Sequence, residues 1–138
     1  MIRSCFLSLC TLAGACADAA PPTAGSAAAS AEAAAVRDID VATLKADLDR
    51  GAVPLLVDVR TPGEFASWHV PGAKNVPLDQ LDARLSEFGT TDAEVYVICE
   101  SGARSSSAST ALATKGLHPV NVRGGTGAWL SAGFPVDK

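Results

Sequence analysis

Val95-Tyr96-Val97-Ile98-Cys99-Glu100-Ser101-Gly102-Ala103-Arg104-Ser105 is the stretch from which the rest of the chain is read. An apolar run long enough for one buried strand ends at Cys99, a tight polar loop follows, and small residues beyond Arg104 begin a helix. The spacing therefore places a single thiol at the carboxyl end of a strand and over a helix N-terminus. Unpaired backbone N–H groups and the macrodipole stabilise an anion there, so a Cys99 thiolate is expected to be a good nucleophile. The competing reading is an inert core cysteine, because free Cys is among the most buried residue types. Position argues against it, since Cys99 stands at the strand's exit beside Glu100, Ser101 and Arg104 rather than within the strand.

On either side of this stretch, strand-like and helix-like segments alternate. A short edge strand is expected over 36–39. Asp40 then caps a helix that carries Val41, Leu44 and Leu48 on one face and stops at Gly51. Residues 53–59 are apolar without strict alternation, as in a central parallel strand. Thr61-Pro62-Gly63-Glu64-Phe65 starts a short helix, with proline at an early position that tolerates it. A turn and a brief extended piece occupy 70–77, and Leu78, Leu81, Leu85 and Phe88 recur at a spacing that predicts an amphipathic helix over 78–88. After the strand at 94–98, a helix over 104–115 has Ala108, Ala111 and Leu112 as one face and Gly116 as its stop. A last strand is expected over 118–122, and Gly124-Gly125-Thr126-Gly127 leads into a short helix at 128–130. Strands separated by helices predict an α/β fold, a small mainly parallel sheet with helices on both faces. In such folds ligands sit outside the carboxyl ends of strands, which is the address of Cys99.

The chain has 138 residues, enough for one modest domain. Residues 1–15 read as a secretory signal peptide: Arg3 gives a positive start, 5–13 a short apolar stretch, and Ala13-Gly14-Ala15 a small-residue cleavage region. The apolar stretch is too short to span a bilayer permanently. Residues 12–16 are similar to the bacterial lipoprotein box, with Cys16 as the lipidated residue, although Leu12 lies one position too far from Cys16. Cleavage after Ala17 or Ala19 is the other outcome, and both place the domain outside the cytoplasm, in the periplasm or cell envelope. Residues 16–35 are an Ala/Ser/Pro-rich tether with nothing to fill a core, and the folded domain is expected over 36–138. Membrane contact is expected only through Cys16.

Cleavage before Cys16 removes Arg3 and no acidic residue, so the formal charge goes from −4 to −5. A mildly acidic chain with few aromatics is a poor nucleic-acid binder. Cys5 and Cys10 leave with the leader, and Cys16 is on the arm, so Cys99 is the folded domain's only thiol. Exported proteins usually pair their cysteines, which makes an unpaired one either reactive or deeply buried.

Taken together, the motifs resemble those of the single-domain rhodaneses, a family of sulfurtransferases. The resemblance spans about residues 36–136. It rests on Asp58-Val59-Arg60 with Glu64-Phe65, on His69-Val70-Pro71-Gly72-Ala73 with Asn75-Val76-Pro77, on Cys99 to Ser105, and on Gly124-Gly125 with Ala128-Trp129. It implies that a Cys99 thiolate takes the outer sulfur of a donor such as thiosulfate, holds it as a persulfide, and passes it to a thiol or cyanide acceptor, which can be a partner protein's thiol. Backbone N–H groups of Glu100, Ser101, Gly102, Ala103, Arg104 and Ser105 would surround the bound sulfur. Arg104 would add positive charge at the rim or brace the loop, and the Ser105 hydroxyl would cap the following helix. The resemblance implies no metal and no organic cofactor.

Loop length separates this reading from its neighbours. Related phosphatases and arsenate reductases place five residues between Cys and Arg to ring a tetrahedral oxyanion, whereas only Glu100, Ser101, Gly102 and Ala103 intervene here. A non-catalytic rhodanese-like binding module is the remaining alternative, opposed by the intact Cys99 loop. Glu100 departs from the basic or neutral residue often found beside this cysteine, and its carboxylate would repel dianionic thiosulfate and raise the Cys99 pKa. The other candidates read as structural. His69 and His118 lack zinc-ligand spacing; Asp58 and Arg60 tie neighbouring loops, with Arg60 bracing the site; and the 124–127 glycines form a turn that lets Trp129 pack. No Gly-x-Ser-x-Gly elbow accompanies the serines at 105–107 and 109; their small side chains let the helix lie close to the sheet.

Overall fold

Five parallel strands in the order β1-β5-β4-β2-β3 form the sheet of the computed structural model, which describes residues 35–89 and 92–138. The strands are β1 (Arg37–Ile39), β2 (Leu56–Asp58), β3 (Lys74–Asn75), β4 (Glu94–Ile98) and β5 (His118–Val122). Between them run α1 (Val41–Asp49), α2 (Pro62–Ser67) and α3 (Ala103–Thr114), and α4 (Gly125–Ser131) follows β5. The leader expected over 1–15, and the tether over 16–35 except Ala35, lie outside the described residues.

Pleat parity on β4 explains why both faces need cover. Val95, Val97 and the following Cys99 point to one side, where they join Val57, Val59, Phe88, Ala108 and Leu112 beneath α3. Tyr96 and Ile98 point to the other, with Leu44, Leu56, Val120, Val122 and Trp129 beneath α1 and α4. A central strand buried on both faces has no polar side to show, and all five residues from Val95 to Cys99 are 2% exposed or less.

The segment expected as one helix over 78–88 is instead two 3-10 turns, Leu78–Gln80 and Leu85–Phe88, joined by a turn. Leu81 and Phe88 still reach the core, so the apolar spacing was met by tertiary packing without a continuous helix. Asp79 and Asp82 favour local turns over helix interior, and the tighter coil brings residues three apart into line: Arg84 Nη2 donates to Glu87 Oε2 at 2.9 Å. The strand expected over 53–59 is shorter, and the last helix begins earlier, at Gly125.

Candidate active site

Cys99 sits where β4 ends and the chain turns into α3. Its residue has no exposed surface, so the expectation that position alone keeps it out of the core is corrected. The β4 pleat continues through residue 99 and aims the side chain under α3. The thiol is nevertheless not isolated in hydrocarbon, because Gly102 N–H donates to Sγ at 3.1 Å. The loop curls back over the sulfur, and Gly102 at its apex is the N-cap of α3, with φ 101° and no capping side chain.

Burial pushes the Cys99 pKa up, but the Ser105 hydroxyl and the amides of Ser105, Gly102 and Ser101 outweigh it, leaving the thiol more acidic than an ordinary cysteine. Ser105 does not cap the helix as expected. It is the third residue of α3 and fully buried, where its hydroxyl donates to Asn121 Oδ1 at 2.7 Å and lies 3.0 Å from Gly102 O.

Two clamps hold the loop, each with a partner from another helix. On one side α4 docks its first turn onto it: Thr126 N–H donates to Cys99 O at 2.7 Å and Gly127 N–H to Glu100 O at 2.9 Å. Turning these carbonyls toward α4 leaves the other edge of the loop to present N–H groups to sulfur. The approach is close enough that a Cβ on Gly125, whose φ is +57°, would lie 2.2 Å from Cys99 O, which only glycine permits. The Gly124-Gly125 pair is thus more than a turn for Trp129, although Trp129 does pack behind it with Nε1 donating to Pro135 O at 2.8 Å.

On the other side Arg104 makes a two-armed pair with Glu64 of α2, at 3.0 and 2.9 Å. Of the two roles expected for Arg104, bracing is the one the geometry provides. Glu64 is also the last member of a capping box, accepting from Thr61 N at 3.0 Å while Thr61 Oγ1 accepts from Glu64 N. The Arg104 guanidinium, helped by the Thr61 donors, holds the Glu64 carboxyl down at about 2.

Glu100 turns its carboxylate sideways toward the Thr126 hydroxyl, at 3.0 Å, and Arg60 Nη1, at 3.5 Å. Its side chain stays half exposed at 50%. Ser101 and Ala103 are exposed along the loop, with Gly102 and Arg104 half-buried between and behind them. Arg60 is buried, stacked on the Trp68 ring at 4.7 Å and bonded to Asp58 and Trp68 O. Asn75 Nδ2 then ties Asp58 O to Arg60 O, so Asp58 and Arg60 knit the loop after β2 to the one after α2, as the sequence suggests. His69 bonds Phe65 O through Nδ1 at 3.0 Å and stacks on the Phe65 ring, while His118 starts β5 at the opposite end of the sheet from Cys99. Beside Arg104 opens an apolar depression of about 300 Å³, lined by Val59, Thr61, Pro77, Leu78 and Asp79.

Sequence reasoning missed Glu64, Thr126 and Asn121 as parts of this site. Only Glu64 had a local signal, the Thr-Pro-Gly-Glu capping box; Thr126 and Asn121 enter through contacts between distant segments.

Fold and site together define a class: a single α/β domain whose one thiol lies at a central strand's carboxyl end, gripped by a four-residue loop before arginine. Residues 40–132 match the Rhodanese-like domain family, and the chain belongs to it. A sulfurtransferase of Allochromatium vinosum is 39% identical over 102 residues, covering 73% of this chain and 94% of that protein. The chloroplastic thiosulfate sulfurtransferase 16 of Arabidopsis thaliana is 39% identical over 93 residues, 58% of this chain and 77% of that one. The crystal structure of a rhodanese-related protein from Thermoplasma volcanium superposes with a TM-score of 0.67 at 32% identity, covering 73% of this chain and 97% of that one.

Proposed function

We propose that this domain is an enzyme that moves a sulfane sulfur through a persulfide on Cys99. The Cys99 thiolate attacks the outer sulfur of the donor, forming the S–S bond of the persulfide as the donor's own bond to that sulfur breaks. From thiosulfate the leaving group is sulfite, which carries away the bond's electron pair. A nucleophilic acceptor then attacks the outer sulfur and the Cys99 thiolate is regenerated, giving thiocyanate from cyanide or a new persulfide from a thiol. The observation that carries this reading is the Gly102 N–H on Sγ within so short a loop. Donors of this kind would stabilise the negative charge that sulfur carries as thiolate and persulfide.

Charge around the site favours a weakly charged sulfur partner over thiosulfate. Arg104 is paired with Glu64, Arg60 with Asp58 and Glu100, so both arginines near the thiol carry carboxylate partners. The depression beside Arg104 is mostly apolar in its lining, which suits the organic part of a thiol or persulfide, including one on a partner protein. The reading extends to location: the leader and tether would deliver the domain to the periplasm or cell envelope, anchored if Cys16 is lipidated.

The test is intact mass spectrometry after incubation with thiosulfate or a low-molecular-weight persulfide. The wild type gains one sulfur atom, lost again on adding cyanide or thiol, and the Cys99→Ser variant gains none. No gain with either donor leaves the non-catalytic binding module standing. Phosphate release from an aryl phosphate, or reduction of arsenate, points instead to an oxyanion enzyme.

A further inference from the structure

The apolar depression beside Arg104 adjoins the thiol through the sheet as well as through the loop. Asp58 and Ile98 are register partners, and Val59 N–H donates to Ile98 O at 2.9 Å. Val59, which lines the depression, is therefore the lateral neighbour of Cys99, and both side chains belong to the buried cluster beneath α3. Leu78 N–H donates to Val59 O at 3.2 Å, which fixes the Pro77-Leu78 wall against that strand end. Thr61, Asp79 and Arg104 are the polar members of the lining.

Charge on the rim is unbalanced. Arg104 is taken up by Glu64, and Arg60 by Asp58 and Glu100. Asp79 is exposed on the first 3-10 turn and has no ion-pair partner among the described residues. Two arginines thus face four carboxylates around the loop and the depression, and the carboxylate without a cation of its own lines the depression itself. An anion entering there meets like charge, a neutral group gains no Coulomb energy, and a cation is attracted.

We propose that this depression is the subsite for the organic part of the sulfur partner and that Asp79 makes it selective for a small aminothiol. The alkyl stem lies on Val59, Pro77 and Leu78, and the ammonium group faces Asp79. The assignment rests on the sulfur-transfer reading for what happens to the thiol. There the aminothiol's thiolate attacks the outer sulfur of the Cys99 persulfide, a new S–S bond forms, and the bond to Cys99 breaks with its electron pair left on the Cys99 thiolate. Asp79 touches no reacting atom; it sets which partner is held beside them.

The test uses three methanethiosulfonates that carry aminoethyl, hydroxyethyl or carboxyethyl arms. In each, the Cys99 thiolate attacks the sulfur bearing the arm, a mixed disulfide forms, and methanesulfinate leaves with the electron pair of the broken bond. Rates are followed on the Cys99 peptide of the full chain by mass spectrometry, and comparing variants cancels the reagents' own reactivities. The ratio of the aminoethyl to the carboxyethyl rate should fall about threefold in Asp79→Asn, as for one exposed ion pair, and about tenfold in the charge-reversed Asp79→Lys. In 1 M salt, where the screening length is about 3 Å, the wild-type preference should shrink toward that of Asp79→Asn. The hydroxyethyl rate should be the same in all three proteins. A ratio unchanged by both substitutions overturns the proposal, as does a hydroxyethyl rate that changes in step with the charged ones, since Asp79 would then act on the shape of the loop. The same proteins, loaded with sulfur and discharged by cysteamine or 3-mercaptopropionate, should show the same ordering. Selective labelling in a protein that never gains the sulfur upholds the subsite and overturns only the sulfur-transfer reading.

Discussion

At Cys99 a fully covered thiol is nonetheless more acidic than an ordinary cysteine. Desolvation alone would make it less acidic, so the hydroxyl and amide donors around Sγ must more than offset burial. Glu100 sets the next requirement. Its half-exposed carboxylate leans on Thr126 and Arg60, but a dianionic donor entering the loop still meets a like charge. Repulsion screened by solvent is worth about 1 kcal/mol, or roughly fivefold in affinity. Glu100→Gln should therefore lower the KM for thiosulfate about fivefold, while the KM for an uncharged persulfide donor stays near its original value. Steady-state kinetics with both donors decides it, and an unchanged KM for thiosulfate removes the electrostatic argument.

The site is also a matter of how three helices meet one loop. α3 supplies the N-terminus, α2 supplies Glu64 to hold Arg104, and the first turn of α4 takes up the Cys99 and Glu100 carbonyls. Gly125 is where α4 and the loop come closest. Gly125→Ala adds a methyl group where there is no space and strains a left-handed backbone. The variant should lose more than about 2 kcal/mol of stability in urea unfolding, and its sulfur-transfer rate should fall at least tenfold as the loop is displaced. Gly133→Ala is the control, because φ there is +71° but nothing lies within 4 Å of the added atom. It should cost only the backbone strain, about 1 kcal/mol, and leave transfer unchanged. Equal losses in the two variants would show that contact between α4 and the loop is unimportant.

For the whole molecule, the clearest pH-linked term among the described residues is the Glu64–Arg104 clamp. The Glu64 carboxyl titrates at about 2 in the folded protein instead of its ordinary 4.5. A carboxyl whose folded pKa is depressed adds stability that is complete above its unfolded pKa and disappears as pH falls toward the folded one. Both side chains are 36% exposed, so solvent screening limits the contribution to about 1 kcal/mol. Urea midpoints of wild type and Glu64→Gln should differ by a constant amount above about pH 5 and converge between about pH 4.5 and 2. A difference that is already gone by about pH 6, or is undiminished near pH 2, contradicts this assignment.

The order of strands and helices, the strand that carries Cys99, and the loop after it were all legible in the sequence, because apolar periodicity and glycine or proline punctuation are local signals. Continuity of the helix over 78–88 was not, since the same spacing of Leu78, Leu81, Leu85 and Phe88 serves two 3-10 turns once the sheet supplies their packing. Nor could the sequence show that Cys99 is covered, although Val95 and Val97 already carried the parity that buries it. Glu64, Asn121 and Thr126 reach the loop from other segments, as much as 40 residues away in the Arg104–Glu64 pair. The sequence by itself determined which atom could react and on which scaffold. Only the tertiary structure decided how that atom is oriented, shielded and charged, because those properties come from hydrogen bonds between strands and helices that no local pattern records.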